Sequence, residues 1–93
     1  MIRSFRDTQT ASLFEREPAR KLPQDIQAVA LRKLRQLDAA EQLEDLRAAP
    51  GNRLEKLAGD HAGQHSIRIN KQWRICFRWD KGDAHEVEIV DYH

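Results

Sequence analysis

The stretch Ser66-Ile67-Arg68-Ile69-Asn70-Lys71-Gln72-Trp73-Arg74-Ile75-Cys76-Phe77-Arg78-Trp79 decides how this chain folds. Apolar and polar residues alternate on both sides of Asn70-Lys71-Gln72, the period-two signature of strands with one buried face. The tripeptide between the two runs has the length of a tight hairpin connection. Ile67, Ile69, Trp73, Ile75, Phe77 and Trp79 are therefore expected on the core side. Ser66, Arg68, Asn70, Arg74 and Arg78 are expected on the opposite, open side.

Working outward, Asp80-Lys81-Gly82-Asp83 reads as the next turn and Glu86 to Tyr92 as the last strand. Arg53 to Leu57 is a short strand ahead of turn material at Gly59-Asp60 and Gly63. Upstream of the break at Ala49-Pro50-Gly51-Asn52 the period changes to that of helices. Pro23 to Asp38 is the strongest helical segment, with Ile26, Val29, Ala30, Leu34 and Leu37 forming one buried stripe. Arg32, Lys33 and Arg35 fall to its solvated side. Asp7 can cap a helix that Pro18 ends, and Glu41 to Arg47 can form a third. Ile2 to Arg6 reads as a short first strand. The pattern predicts an α+β class: two to three helices and an N-terminal strand packed with one face of a twisted antiparallel sheet, in a single domain over residues 1–93.

Composition narrows the function. The chain has 93 residues, 40% of them hydrophobic and 33% charged, which suits one modest core and not a disordered segment. Cys76 is its single cysteine, so no disulfide closes within the chain, and no histidine spacing marks a metal site. The N-terminus alternates charged and apolar residues, unlike a signal peptide, and no apolar run approaches a membrane span, so a soluble cytoplasmic protein is expected.

Charge is distributed unevenly. The chain carries 16 Lys+Arg against 15 Asp+Glu, yet His61 to Trp79 holds Arg68, Lys71, Arg74 and Arg78 with no carboxylate. Guanidinium groups on one strand face suit phosphate oxygens, which they bind in a fork. The competing reading is a solvated face on which Glu86 and Glu88 pair with Arg74 and Arg78. Those two carboxylates leave a positive excess, which favours a nucleic-acid partner. Lys56 reads equally as a phosphate ligand or an edge-strand lysine. His61 and His65 read as surface residues able to touch RNA, and Cys76 as packed and inert. The chain closes on Asp91-Tyr92-His93, where a terminal imidazole could serve as a general acid or simply fray.

Asn52-Arg53-Leu54-Glu55, Ser66-Ile67-Arg68-Ile69-Asn70, Gln72-Trp73-Arg74-Ile75-Cys76-Phe77 and Val90-Asp91-Tyr92-His93 together resemble HigB-type toxins of the RelE/ParE superfamily, over essentially the whole chain. The resemblance implies a RelE-like, microbial-ribonuclease-like fold. It also implies metal-independent cleavage of mRNA in the ribosomal A site, without a cofactor. The implied partners are a HigA-type helix-turn-helix antitoxin, the ribosome and mRNA, and operator DNA only through the antitoxin. Carried over residue by residue, Arg74 and Arg68 become phosphate or transition-state contacts, and His93 a proton donor flanked by Asp91 and Tyr92. Lys56, His61, Lys71 and Arg78 are then candidate RNA contacts. The general base stays open among Asp91, Tyr92 and His61. Relatives commonly carry two cations where this chain has Ala58 and His61. The alternatives are a non-catalytic, ParE-like inhibitor of gyrase, an RNA- or ribosome-binding module and, last, a structural protein.

Overall fold

Asp7 starts the first helix. It is extended, and its carboxylate accepts the Thr10 N–H at 2.7 Å, which satisfies one of the donors a helix start leaves open. In the computed structural model, which describes residues 1–57 and 63–91, this helix is α1 (Thr8–Phe14). It stops before Pro18, with Arg16 in the left-handed region at φ 60°. The second helix, α2 (Gln24–Ala39), has Pro23 at its N-cap, where a missing N–H costs nothing. Asp45 caps α3 (Leu43–Ala48) by accepting the Glu41 and Gln42 N–H groups at 2.9 and 3.0 Å.

Four antiparallel strands follow in sequence order: β1 (Glu55–Lys56), β2 (Gln64–Arg68), β3 (Trp73–Asp80) and β4 (Asp83–Asp91). The hairpin is as the alternation predicts, with Ile67 opposite Ile75 and Arg68 opposite Arg74. Asn70 shapes its turn by accepting the Gln72 and Trp73 N–H groups, both at 2.8 Å. Leu34 and Leu37 of α2 join Ile67, Ile75, Phe77 and Val87 of the sheet in one buried cluster. Trp73 and Trp79 only border it, half-buried.

The last strand begins three residues earlier than expected because it contains a bulge. Cys76 pairs with Glu88 but Arg78 pairs with His85, so Glu86 and Val87 together face Phe77. Glu86 takes φ 53° to allow this. The extra residue resets the alternation, and Ala84 and Val87, three apart, are both fully buried. The N-terminal segment keeps the same step as two isolated parallel bridges, Ile2 to Ala84 and Phe5 to Val87, in place of the predicted strand.

Beyond those bridges, the outer edge of β4 is finished by a side chain. Thr10 is fully buried; its hydroxyl accepts the Ile89 N–H at 3.0 Å and donates to Asp7 Oδ2 at 3.0 Å. Thr10→Val keeps the shape but orphans that amide. It is expected to lower stability by about 1–3 kcal/mol, measured as a shift of the urea midpoint at constant slope.

Candidate functional site

Arg74 does not lie on an open face. It is 7% exposed, and a buried cation persists only where its donors are met. Its Nε donates to Ser66 Oγ at 2.8 Å, and its Nη2 donates to the backbone oxygens of Arg53 and Ser66 at 2.7 and 3.2 Å. Glu55 Oε1 lies 3.9 Å from Nη1. The competing reading, in which Glu86 and Glu88 pair with Arg74 and Arg78, is met only in part. Glu86 sits 4.0 Å from Arg78, but Glu88 faces Arg6 at 3.6 Å across the N-terminal segment.

Around Arg74 opens a cleft of about 230 Å³, lined by Arg53, Glu55, Arg68, Asn70, Lys71 and Arg74. Four of these residues are cations and one is a carboxylate. Strand register builds the floor: Arg68 faces Arg74, and Ser66 faces both Cys76 and Glu55. The loop before β1 builds the wall, with Arg53 held at φ 44°. The arrangement can grip a phosphate and stabilise charge added to it.

The cleft thus unites Arg68, Lys71 and Arg74 of the sequence candidates. Arg78 shares their sheet face, two residues along β3 from Cys76. Lys56 pairs with His65, which pairs with Phe77, so the register puts it at the edge of the helix-facing side. Asp91 also belongs to that side, opposite Trp73, and accepts a hydrogen bond from Gln72 Nε2 at 3.1 Å. The bulge at Glu86 precedes Val87 and so leaves Asp91 in phase with Val87 and Ile89. His61, Tyr92 and His93 lie outside the described residues.

Sequence reasoning passed over Arg53 and Glu55 as functional side chains and misplaced Lys33. Lys33 is 5% exposed, and its ammonium donates to Asn52 Oδ1 at 2.7 Å. Burial, and then the charges of Arg32, Arg68 and Arg74, hold its pKa below the usual lysine range. The spacing test itself held the signal, because position 33 falls on the stripe of Ile26, Ala30 and Leu37. Cys76 is buried as expected, and burial foremost pushes its thiol up to about 11.

A three-helix layer on a meandering four-stranded sheet, with an arginine-lined cleft on the far face, defines a small α+β domain with a basic cleft. The fold matches the YoeB–YefM toxin–antitoxin complex of Staphylococcus aureus with a TM-score of 0.62 and 17% identity, over 100% of this chain and 98% of that one. It likewise matches the YoeB/ParE toxin of Agrobacterium tumefaciens with a TM-score of 0.59 and 18% identity, over 99% of each chain. Residues 3–93 match the HigB-like toxin family, described as the RelE-like toxin of the type II toxin–antitoxin system HigB, and the chain belongs to that family. Toxin HigB-1 of Vibrio cholerae serotype O1 is 42% identical over 90% of both proteins. Endoribonuclease HigB of Proteus vulgaris is 34% identical over 100% of both. Among the described residues no helix is long and apolar enough to cross a membrane.

His65 gives the site's edge a pH signature. Its ring stacks on Phe77 at 6.1 Å, and burial is the main cause holding its pKa below 6.5, with Lys56 and Arg47 adding to it against the Gly63 backbone. The unfolded chain therefore takes up this proton first as pH falls through 6.5, and stability declines until the folded-state pKa is passed. His65→Gln is expected to flatten the fall in denaturant midpoint over that window and to leave the slope above pH 6.5 unchanged.

Proposed function

We propose that this toxin is an mRNA endoribonuclease that acts in the ribosomal A site and so halts translation in the cytoplasm. The observation that carries the reading is the cleft itself, where Arg53, Arg68, Lys71 and Arg74 converge with Glu55 as the one carboxylate among the described residues. The Proteus vulgaris relative, named an endoribonuclease, supports the same chemistry. The Staphylococcus aureus complex supports an antitoxin partner. We assign that partner as a HigA-type helix-turn-helix protein, through which operator DNA would be bound. The gyrase-directed alternative is not favoured.

In this mechanism the ribose 2′-oxygen attacks the phosphorus of its own 3′ phosphate, and the bond from phosphorus to the 5′-oxygen breaks. The products are a 2′,3′-cyclic phosphate and a 5′-hydroxyl. Arg74 and Arg68 stabilise the extra negative charge on the phosphorane, and Arg53 and Lys71 hold the neighbouring backbone. Preorganised charge of this kind replaces what a metal ion would supply, so no metal or cofactor is required. Glu55, 3.9 Å from Arg74, accepts the 2′-proton; Asp91 belongs to the opposite face. His93 protonates the leaving 5′-oxygen, with Tyr92 beside it in the chain. Arg78 and Lys56 guide the flanking RNA. Among the described residues so few acid–base groups line the cleft that the ribosome's alignment of mRNA supplies much of the rate.

Cut ends on a message in programmed ribosomes test the proposal. Wild type is expected to leave cyclic-phosphate ends in the presence of EDTA and to leave free RNA largely intact. Arg74→Ala is expected to slow cutting by about 10²–10³, and Glu55→Gln or His93→Ala by about 10²–10⁴. Arg74→Lys should rescue little, since lysine cannot reproduce the forked contacts. Undiminished cutting by Arg74→Ala would remove this site from the reaction.

A further inference from the structure

The cleft rests on a buried relay. Asn52 is fully buried, and its side chain accepts from Lys33 Nζ at 2.7 Å while donating to Leu46 O at 3.1 Å. Its backbone oxygen accepts the Arg68 N–H at 2.6 Å. The next residue, Arg53, is in the left-handed region at φ 44°, an unfavourable state for a residue with a Cβ. That conformation presents the Arg53 carbonyl to Arg74 Nη2 at 2.7 Å. A short chain of bonds therefore runs from α2 to the guanidinium at the centre of the cleft.

We infer that Lys33 is a positioning residue for the cleft: by fixing Asn52 it sets the Arg53 carbonyl on which Arg74 is clamped. Fold stability alone does not account for a lysine here. Position 33 lies on the apolar stripe of α2, where an aliphatic side chain would bury without the cost of desolvating an ammonium. No carboxylate bonds to that ammonium among the described residues; its partner is a neutral amide. The depressed pKa of Lys33, with Arg68 and Arg74 among its causes, places a further like charge near the cleft. Helix packing is thereby made to carry the orientation of a group on the other side of the sheet.

Because the inference rests on the nuclease reading for its functional consequence, the test has one arm that does not depend on RNA. The first arm is NMR exchange of the Arg74 guanidinium protons in the whole protein. They are expected to exchange slowly in wild type and markedly faster in Lys33→Met. The second arm is a double-mutant cycle in programmed ribosomes. Lys33→Met is expected to slow cutting by about a hundredfold and to add nothing once Arg74→Ala is present, because both act through one group. A merely structural lysine would instead lower the rate by the same factor in both backgrounds. Unchanged Arg74 exchange in Lys33→Met overturns the inference whatever the cutting rate. Altered exchange in a protein whose wild type cuts nothing overturns the nuclease reading and leaves the inference standing. Should Lys33→Met not fold, Lys33→Gln, whose shorter neutral side chain removes the ammonium from Asn52 and leaves the other Asn52 bonds in place, is the variant to read. Faster exchange at Arg74 is then expected, and wild-type exchange overturns the inference.

Discussion

A guanidinium kept almost wholly from water has to have its N–H groups satisfied, and around Arg74 that requirement shapes the surrounding backbone. Ser66 meets it from the neighbouring strand with both its hydroxyl and its carbonyl. Arg53 meets it from the preceding loop, at the expense of a left-handed backbone. The register of the hairpin, which sets Arg68 opposite Arg74, is what brings Ser66 within reach. Move the register by one residue and Arg74 would turn into the apolar core.

The like charges gathered there oppose folding. Arg53, Arg68, Lys71 and Arg74 line one cleft with Glu55 as counter-charge, and Lys33 lies buried nearby. Desolvating a charged group is costly, and around Arg74 the oxygens of Ser66 and Arg53 offset that cost. In the proposed reaction a bound phosphate would add negative charge to this cleft beside Glu55. The trade of stability for a preassembled field is a common property of functional sites.

Much of the fold could be read from residue patterns. The alternation around Asn70 gave the hairpin, Asp7 gave the first cap, and the apolar stripe gave α2, because these signals are local. The bulge at Glu86 could not be read, since nothing in that residue announces a positive φ. Yet it decides which residues at the start of β4 face the core, while Asp91 simply keeps the phase of Val87 and Ile89. Half of the cleft was legible for the same reason. Arg68 and Arg74 follow from strand parity, whereas Arg53 and Glu55 arrive from a loop whose path depends on Asn52. Lys33 was misjudged because its charge outweighed its position on the stripe.

The sequence by itself determined the α+β fold class, the antiparallel hairpin and the local surplus of arginine and lysine over carboxylate. These depend on periodicity and composition, which act over a few residues. Tertiary structure alone decided that Arg74 is buried and clamped, that Glu55 faces it, and that a lysine from a helix stands behind the loop. Each of those facts joins residues distant in the chain: Lys33 to Asn52, Arg53 to Arg74, Glu55 to Ser66. Desolvated polar groups must find partners wherever the packed chain offers them, and that need has no period to be read in advance.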